Sequence, residues 1–90
     1  MDHSKLWTLI RADLARARST VPGVAASHST IDQYQDFLDH NEFELACDML
    51  EAYAEDHCVS RDFWLALRDA ATKMHLSDRA SRYEDYSTNP

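Results

Sequence analysis

One glycine and two prolines in ninety residues set the first bound on this chain. A sandwich or barrel needs a turn every roughly 8–12 residues and the residue types that make turns, and Gly23, Pro22 and Pro90 cannot supply them. Helices need far fewer breaks, so an all-α fold is expected. Apolar residues make up 44% of the chain, with two Trp, four Tyr and three Phe. That is enough for one core and too much for a disordered acidic tail. A chain of this length buries roughly 60–65% of its unfolded surface, so residues 1–90 are expected to form a single helical domain.

The apolar residues recur at helical spacing. Leu6, Ile10, Leu14 and Ala17 share one face of a first helix over residues 3–18, with Trp7 at its edge and Arg11 and Arg18 just beyond. Residues 19–30, STVPGVAASHST, predict a flexible loop. Thr30 and Gln33 then have the form of a capping box, opening a short helix on Ile31, Tyr34, Phe37 and Leu38 that ends near His40. After the turn Asp39-His40-Asn41, Asn41 is placed to cap a third helix running to about His57. Its apolar arc is wide. Phe43, Ala46, Cys47, Leu50 and Ala54 form one side, and Leu45, Met49, Ala52 and Tyr53 extend it, so packing on two sides is expected. Ser60 caps a fourth helix with Phe63, Leu67, Ala70, Ala71 and Met74 inward and Trp64 beside them. Ser77 starts a short fifth, placing Tyr83 and Tyr86 on a shared side as bundle lids or interface anchors. Residues 87–90 are expected to fray. Short links imply antiparallel neighbours, hence a compact bundle of four to five mostly antiparallel helices with no evident internal repeat.

Charge is distributed unevenly over this frame. Nine acidic residues and no Lys or Arg lie between Ser29 and Ser60, whereas all nine basic residues lie outside that segment. On the second helix Asp32, Asp36 and Asp39 fall within about 60°, and on the third Glu44, Asp48, Glu51 and Glu55 do the same. Each helix thus carries one acid stripe. The like-charge neighbours on the third cost roughly 0.2–0.5 kcal/mol apiece in isolation. Three readings are weighed: arginines such as Arg11, Arg18 or Arg68 offset the stripes inside the monomer; the stripes face a positive partner, all seven carboxylates being candidate partner-binding residues; or carboxylates four apart hold a divalent cation, which the absence of an EF-hand loop and of a paired Glu-x-x-His signature disfavours. On the second reading, reversing Glu51 and Glu55 to Lys should relieve repulsion and leave the fold standing.

The net charge of −7 disfavours nucleic acid and anionic membrane surfaces as partners. The N-terminal segment lacks the apolar stretch of a signal peptide, and no run approaches the roughly 18 apolar residues of a membrane span. A cytoplasmic protein with reduced thiols at Cys47 and Cys58 is expected. No metal-ligand spacing occurs: His40-Asn41-Glu42 is not followed by the Pro-Cys-x-x-Cys of zinc deaminases, and His-Glu-x-x-His is absent. Adjacent His57 and Cys58 do not form a base and thiol pair, since neighbours along a chain rarely face each other. A single glycine builds neither a phosphate-cradling loop nor a dinucleotide fingerprint. No catalytic residue, metal or cofactor is expected.

The stretch from Tyr34 to Leu76, above all FLDHNEFELACDMLEAYAED and the later KMHL, resembles the MafI family of small immunity proteins that accompany polymorphic bacterial toxins. The pattern of a helix end, His, a polar residue, Glu, an aromatic, two residues and Ala is carried here by His40-Asn41-Glu42-Phe43-Glu44-Leu45-Ala46. The resemblance implies an all-helical inhibitor that binds a cognate toxin domain, often a nuclease, and protects the producing cell. Nucleases are commonly basic, so an acidic helical face suits such a partner. A tetratricopeptide-like adaptor or secretion chaperone gripping a peptide is the rival reading, because such helical hairpins share the turn pattern, although three or more repeats are normally needed.

Overall fold

The structure, a computed structural model, describes residues 3–23 and 28–88. Five helices follow one another: α1 (His3–Ser19), α2 (Ser29–Asp39), α3 (Phe43–Asp56), α4 (Arg61–Lys73) and α5 (Ser77–Thr88). The fold is all-α, and its Cα radius of gyration of 12.3 Å matches the roughly 12 Å of a compact chain this long.

Helix α4 is the centre of the packing. It lies against α1 on one side and α5 on the other, and α2 pairs with α3. Ala66, Ala70 and Ala71 on α4 and Ala17 on α1 are fully buried. Such small side chains let helix axes approach closely, and the volume is filled by Leu14, Leu50, Phe63 and Leu67, also fully buried. Each of these large side chains contributes roughly 1.5–3 kcal/mol of transfer free energy. Tyr83, placed by sequence at the edge of the fifth helix, has no exposed surface, whereas Tyr86 remains 43% exposed. The wide arc of α3 divides likewise: Tyr53 is buried, Met49 packs on the core, and Leu45 is left 42% exposed.

Ser60 caps α4 as its sequence predicts, its Oγ accepting from the Phe63 amide at 3.3 Å. The start of α2 differs. His28, not Thr30, is the N-cap, and its Nδ1 accepts from the Thr30 amide at 3.2 Å. The reason is tertiary, because the His28 ring sits edge-on to Tyr53 and His57 and so fixes where the helix begins. Asn41 does not cap α3 either. It adopts φ 58°, and the Glu42 amide reaches back to Phe37 O at 2.9 Å while the Asn41 amide donates to Leu38 O at 3.1 Å. Asn41 therefore ends α2 through a Schellman turn, and its side chain accepts a hydrogen bond from Arg11.

The same turn closes α4: His75 has φ 62°, with Leu76 donating to Ala71 O at 2.9 Å and His75 to Thr72 O at 3.1 Å. Asn41 and His75 stand 34 residues apart, so α2–α3 and α4–α5 are two hairpins with one turn geometry. They do not stack directly as repeats do. Helix α1 packs on α4 and touches α3, while α3 meets α4 only lightly.

At the ends of the expected loop, α1 extends through Ser19 and Val21 is buried in the core. Residues 24–27 lie outside the described residues. Helix α5 runs into the segment expected to fray, reaching Thr88 with Ser87 buried, its Oγ bonded to Glu84 O at 2.6 Å. Asn89 and Pro90 lie outside the described residues.

Candidate functional site

The two acid stripes meet different surroundings. On α3, Asp48 is paired with Arg79, whose other nitrogen lies 4.0 Å from Glu44. Glu51 receives Arg82 at 3.0 Å on one oxygen and the Tyr83 hydroxyl at 3.2 Å on the other. The compensating arginines thus come from α5, not from Arg11, Arg18 or Arg68. Those three are engaged elsewhere: Arg11 with Asn41 and over the Phe43 ring, Arg18 with the Val21 carbonyl, and Arg68 with Asp69 and Glu84. Partner numbers rise together along α3 and α5, so these helices run parallel, as alternate members of an up-down-up set must.

Beneath the ion pairs lies a buried polar chain. The Tyr83 hydroxyl is 3.5 Å from Cys47 Sγ as well as bonded to Glu51. Burial pushes the Cys47 thiol up to about 11, outweighing the hydrogen bond to Tyr83, so the thiol stays protonated and unreactive at neutral pH. Burial also raises the Tyr83 phenol, with Cys47 and Glu51 adding to the effect. For Arg79, burial opposes the charge, yet the hydrogen bond and charge of Asp48 prevail and hold the guanidinium above its ordinary value.

Helix α2 presents the contrast. Asp32, Asp36 and Asp39 are all exposed, and none has an ion-pair partner among the described residues. Asp39 accepts from Gln35 at 2.9 Å, a neutral donor that leaves its charge uncompensated. Nearby, His40 Nδ1 lies 2.8 Å from Asp36 O, and this backbone contact, then the Asp36 charge, raises the His40 pKa. Glu55, at the end of the α3 stripe, is also exposed and without an ion pair among the described residues.

Glu55 borders a cleft of about 180 Å³ with Glu51, Ala54, Trp64 and Tyr86. The Trp64 and Tyr86 ring centroids are 4.9 Å apart, and Trp64 also lies 5.8 Å from Tyr83. Of this cleft the sequence marks Glu51 and Glu55 as partner-binding candidates and Tyr86 as lid or anchor, but it gives Trp64 no role. A readable signal did exist. Arg79 and Arg82 sit at i and i+3 beside Tyr83 and Tyr86, a basic row on the side of α5 that carries its aromatics.

Among the described residues, no group of three or more His, Cys, Asp or Glu side chains is placed to hold a metal ion. No described helix is long and apolar enough to cross a membrane. Comparison with protein-family models, curated proteins and solved structures finds no match.

Proposed function

We propose that this chain is a non-catalytic, cytoplasmic bacterial immunity protein that binds a cognate basic toxin domain one to one, a nuclease above all, and neutralises it through an acidic helical face. The observation that carries the reading is the α2 stripe: Asp32, Asp36 and Asp39 stand exposed on one helix, and none has an ion-pair partner among the described residues. Three like charges left unmatched in the monomer are a field for a positive partner, and such a field speeds encounter with a basic protein. The motif resemblance of residues 34–76 to the MafI family, read from the sequence, points the same way. Glu44, Asp48 and Glu51 enter as a partly neutralised margin, where a partner arginine competes with Arg79 and Arg82.

The test is calorimetry and stopped-flow binding of the chain to the toxin domain encoded beside it, at low and physiological salt. Changing Asp32, Asp36 and Asp39 to Asn is expected to slow association at least tenfold at low salt and to abolish protection, with an unchanged or slightly raised melting temperature. Wild-type affinity for that variant would remove the α2 face from the interface. The 34-residue offset between the two hairpins favours one rival, a tetratricopeptide-like adaptor for a peptide. On that reading an extended peptide binds the isolated chain and the triple Asn variant alike.

A further inference from the structure

The cleft between α3, α4 and α5 sets two carboxylates beside two aromatic rings, and we infer that it is a receptor for one guanidinium group, a partner's arginine side chain. The inference rests on the partner-binding reading and adds a specific contact to it. Trp64 is half-buried and Tyr86 43% exposed, with ring centroids 4.9 Å apart, so they form an aromatic wall that keeps an open side. Ala54, Glu51 and Glu55 line the cleft with them. Glu51 is already engaged by Arg82 and Tyr83, so Glu55 brings the one uncompensated charge. Arg61 borders the adjoining groove, together with Trp64 and Tyr86, yet it forms no ion pair among the described residues.

This combination selects a particular cation. A guanidinium stacks flat on an indole or phenol face while its edge donates two parallel hydrogen bonds to a carboxylate, and its weak hydration makes leaving water inexpensive. An ammonium is a compact, strongly hydrated charge that gains less from the rings. A cleft of about 180 Å³ suits the end of one side chain. The distribution of charge argues the same way, because an aromatic cleft meant for an apolar anchor gains nothing from an unpaired carboxylate at its edge.

N-acetyl-arginine amide is the probe, N-acetyl-citrulline amide its neutral isostere, and the readout the indole N–H resonance of Trp64, assigned with a Trp7→Phe variant. Arginine amide is expected to shift that resonance saturably in the millimolar range while citrulline amide does not. Glu55→Gln and Tyr86→Ala should each weaken binding about fivefold, and lysine amide should bind more weakly than arginine amide. Glu55 is exposed and without an ion pair among the described residues, so Glu55→Gln should keep the wild-type melt, whereas Tyr86→Ala, which loses its ring contact with Trp64, should melt somewhat lower but still cooperatively. Equal shifts from arginine and citrulline amides would make the cleft an apolar anchor site and overturn the proposal. So would arginine binding that ignores Glu55→Gln or perturbs only α2, and so would no binding at all. None of these outcomes touches the immunity reading, whose test is binding of the toxin domain itself.

Discussion

Helices α2 and α3 are consecutive, pack on each other and carry the same device, a one-sided row of carboxylates, yet only one row is answered from within the molecule. Asp48, Glu51 and, at longer range, Glu44 face Arg79 and Arg82 of α5, while Asp32, Asp36 and Asp39 face solvent. Periodicity decides that charges share a face, and packing decides what that face meets. Helix α5 lies along α3 because α4 returns the chain antiparallel and Tyr83 is drawn fully into the core between Cys47 and Glu51. Among the described residues, α2 packs chiefly on α3, and no arginine pairs with its aspartates in the same way. One row is therefore tied into the fold, and the other is left to solvent.

The largest expected effect breaks the comparison if it fails. Glu51→Lys would set an ammonium against Arg82 and deprive the buried Tyr83 hydroxyl of its acceptor, at a cost of about 2–3 kcal/mol. For a domain of this size that lowers Tm by about 10–20 °C. Asp36→Lys on α2 should stay within about 0.5 kcal/mol of wild type. The expectation from charge pattern alone, that reversing Glu51 spares the fold, conflicts with this environment, whereas Glu55→Lys, at an exposed position, should leave the melt unchanged. Equal melts for Glu51→Lys and Asp36→Lys would erase the distinction between the rows.

A second, smaller effect concerns how α2 is held without ion pairs. Its N-terminus is fixed by the His28 cap and the ring contacts to Tyr53 and His57, and its C-terminus by the turn at Asn41. His28→Ala should cost about 1 kcal/mol and speed hydrogen exchange in α2 more than in α4. Uniform acceleration across all helices would show that the cap supports the whole bundle and not this element.

An ion-paired carboxylate outside both rows, Asp69 on α4, should also make the protein acid-sensitive. Burial alone would raise Asp69, but hydrogen bonds from Arg16 at 2.7 Å and Arg68 at 3.0 Å prevail and hold its carboxyl below the ordinary value. A depressed folded-state pKa gives stability that is complete above the unfolded value, about 4, and is lost as pH falls through the folded one. Thermal melts between pH 2 and 6 should show a steep acid limb that Asp69→Asn flattens. An identical limb in that variant would assign acid unfolding to other groups.

Much of the fold was legible because helical period, small-residue faces and one serine cap are local facts. Ile10, Leu14 and Ala17, Ser60 and the inward row of α4 needed no knowledge of the rest of the chain, whereas Leu6, placed by its spacing on the same face as Ile10, is left exposed near the start of α1. The misses share a cause. Asn41 looks like a helix cap by type, but Glu42 reaching back to Phe37 turns it into the end of the preceding helix. The role of His28 depends on rings 25 and 29 positions away, and the α3 acids are matched by residues 31 to 35 positions later. Charge rows can be counted in a sequence, whereas the helix that will lie opposite them cannot.

The smallest effect probes the field of the α2 face directly. His40 is fully exposed, and its pKa is raised first by the contact with Asp36 O, then by the Asp36 charge, with Glu42 and Asp39 adding to it. A raised folded-state value means that its contribution is complete below the ordinary histidine value, about 6.5, and is lost as pH rises through the folded one. Stability should therefore decline slightly between pH 6 and 8, and His40→Gln should remove that part of the decline. The sharper measurement is the proton NMR titration of the His40 ring. Asp36→Asn keeps the backbone contact and removes the charge, so the His40 pKa should fall part of the way toward its ordinary value. Moderate salt should produce a similar fall in the wild type, because exposed charges are screened over about 10 Å at 0.1 M. If neither the substitution nor salt moves the titration, the three aspartates exert no local field at their own helix end, and the case for α2 as the steering surface fails with them.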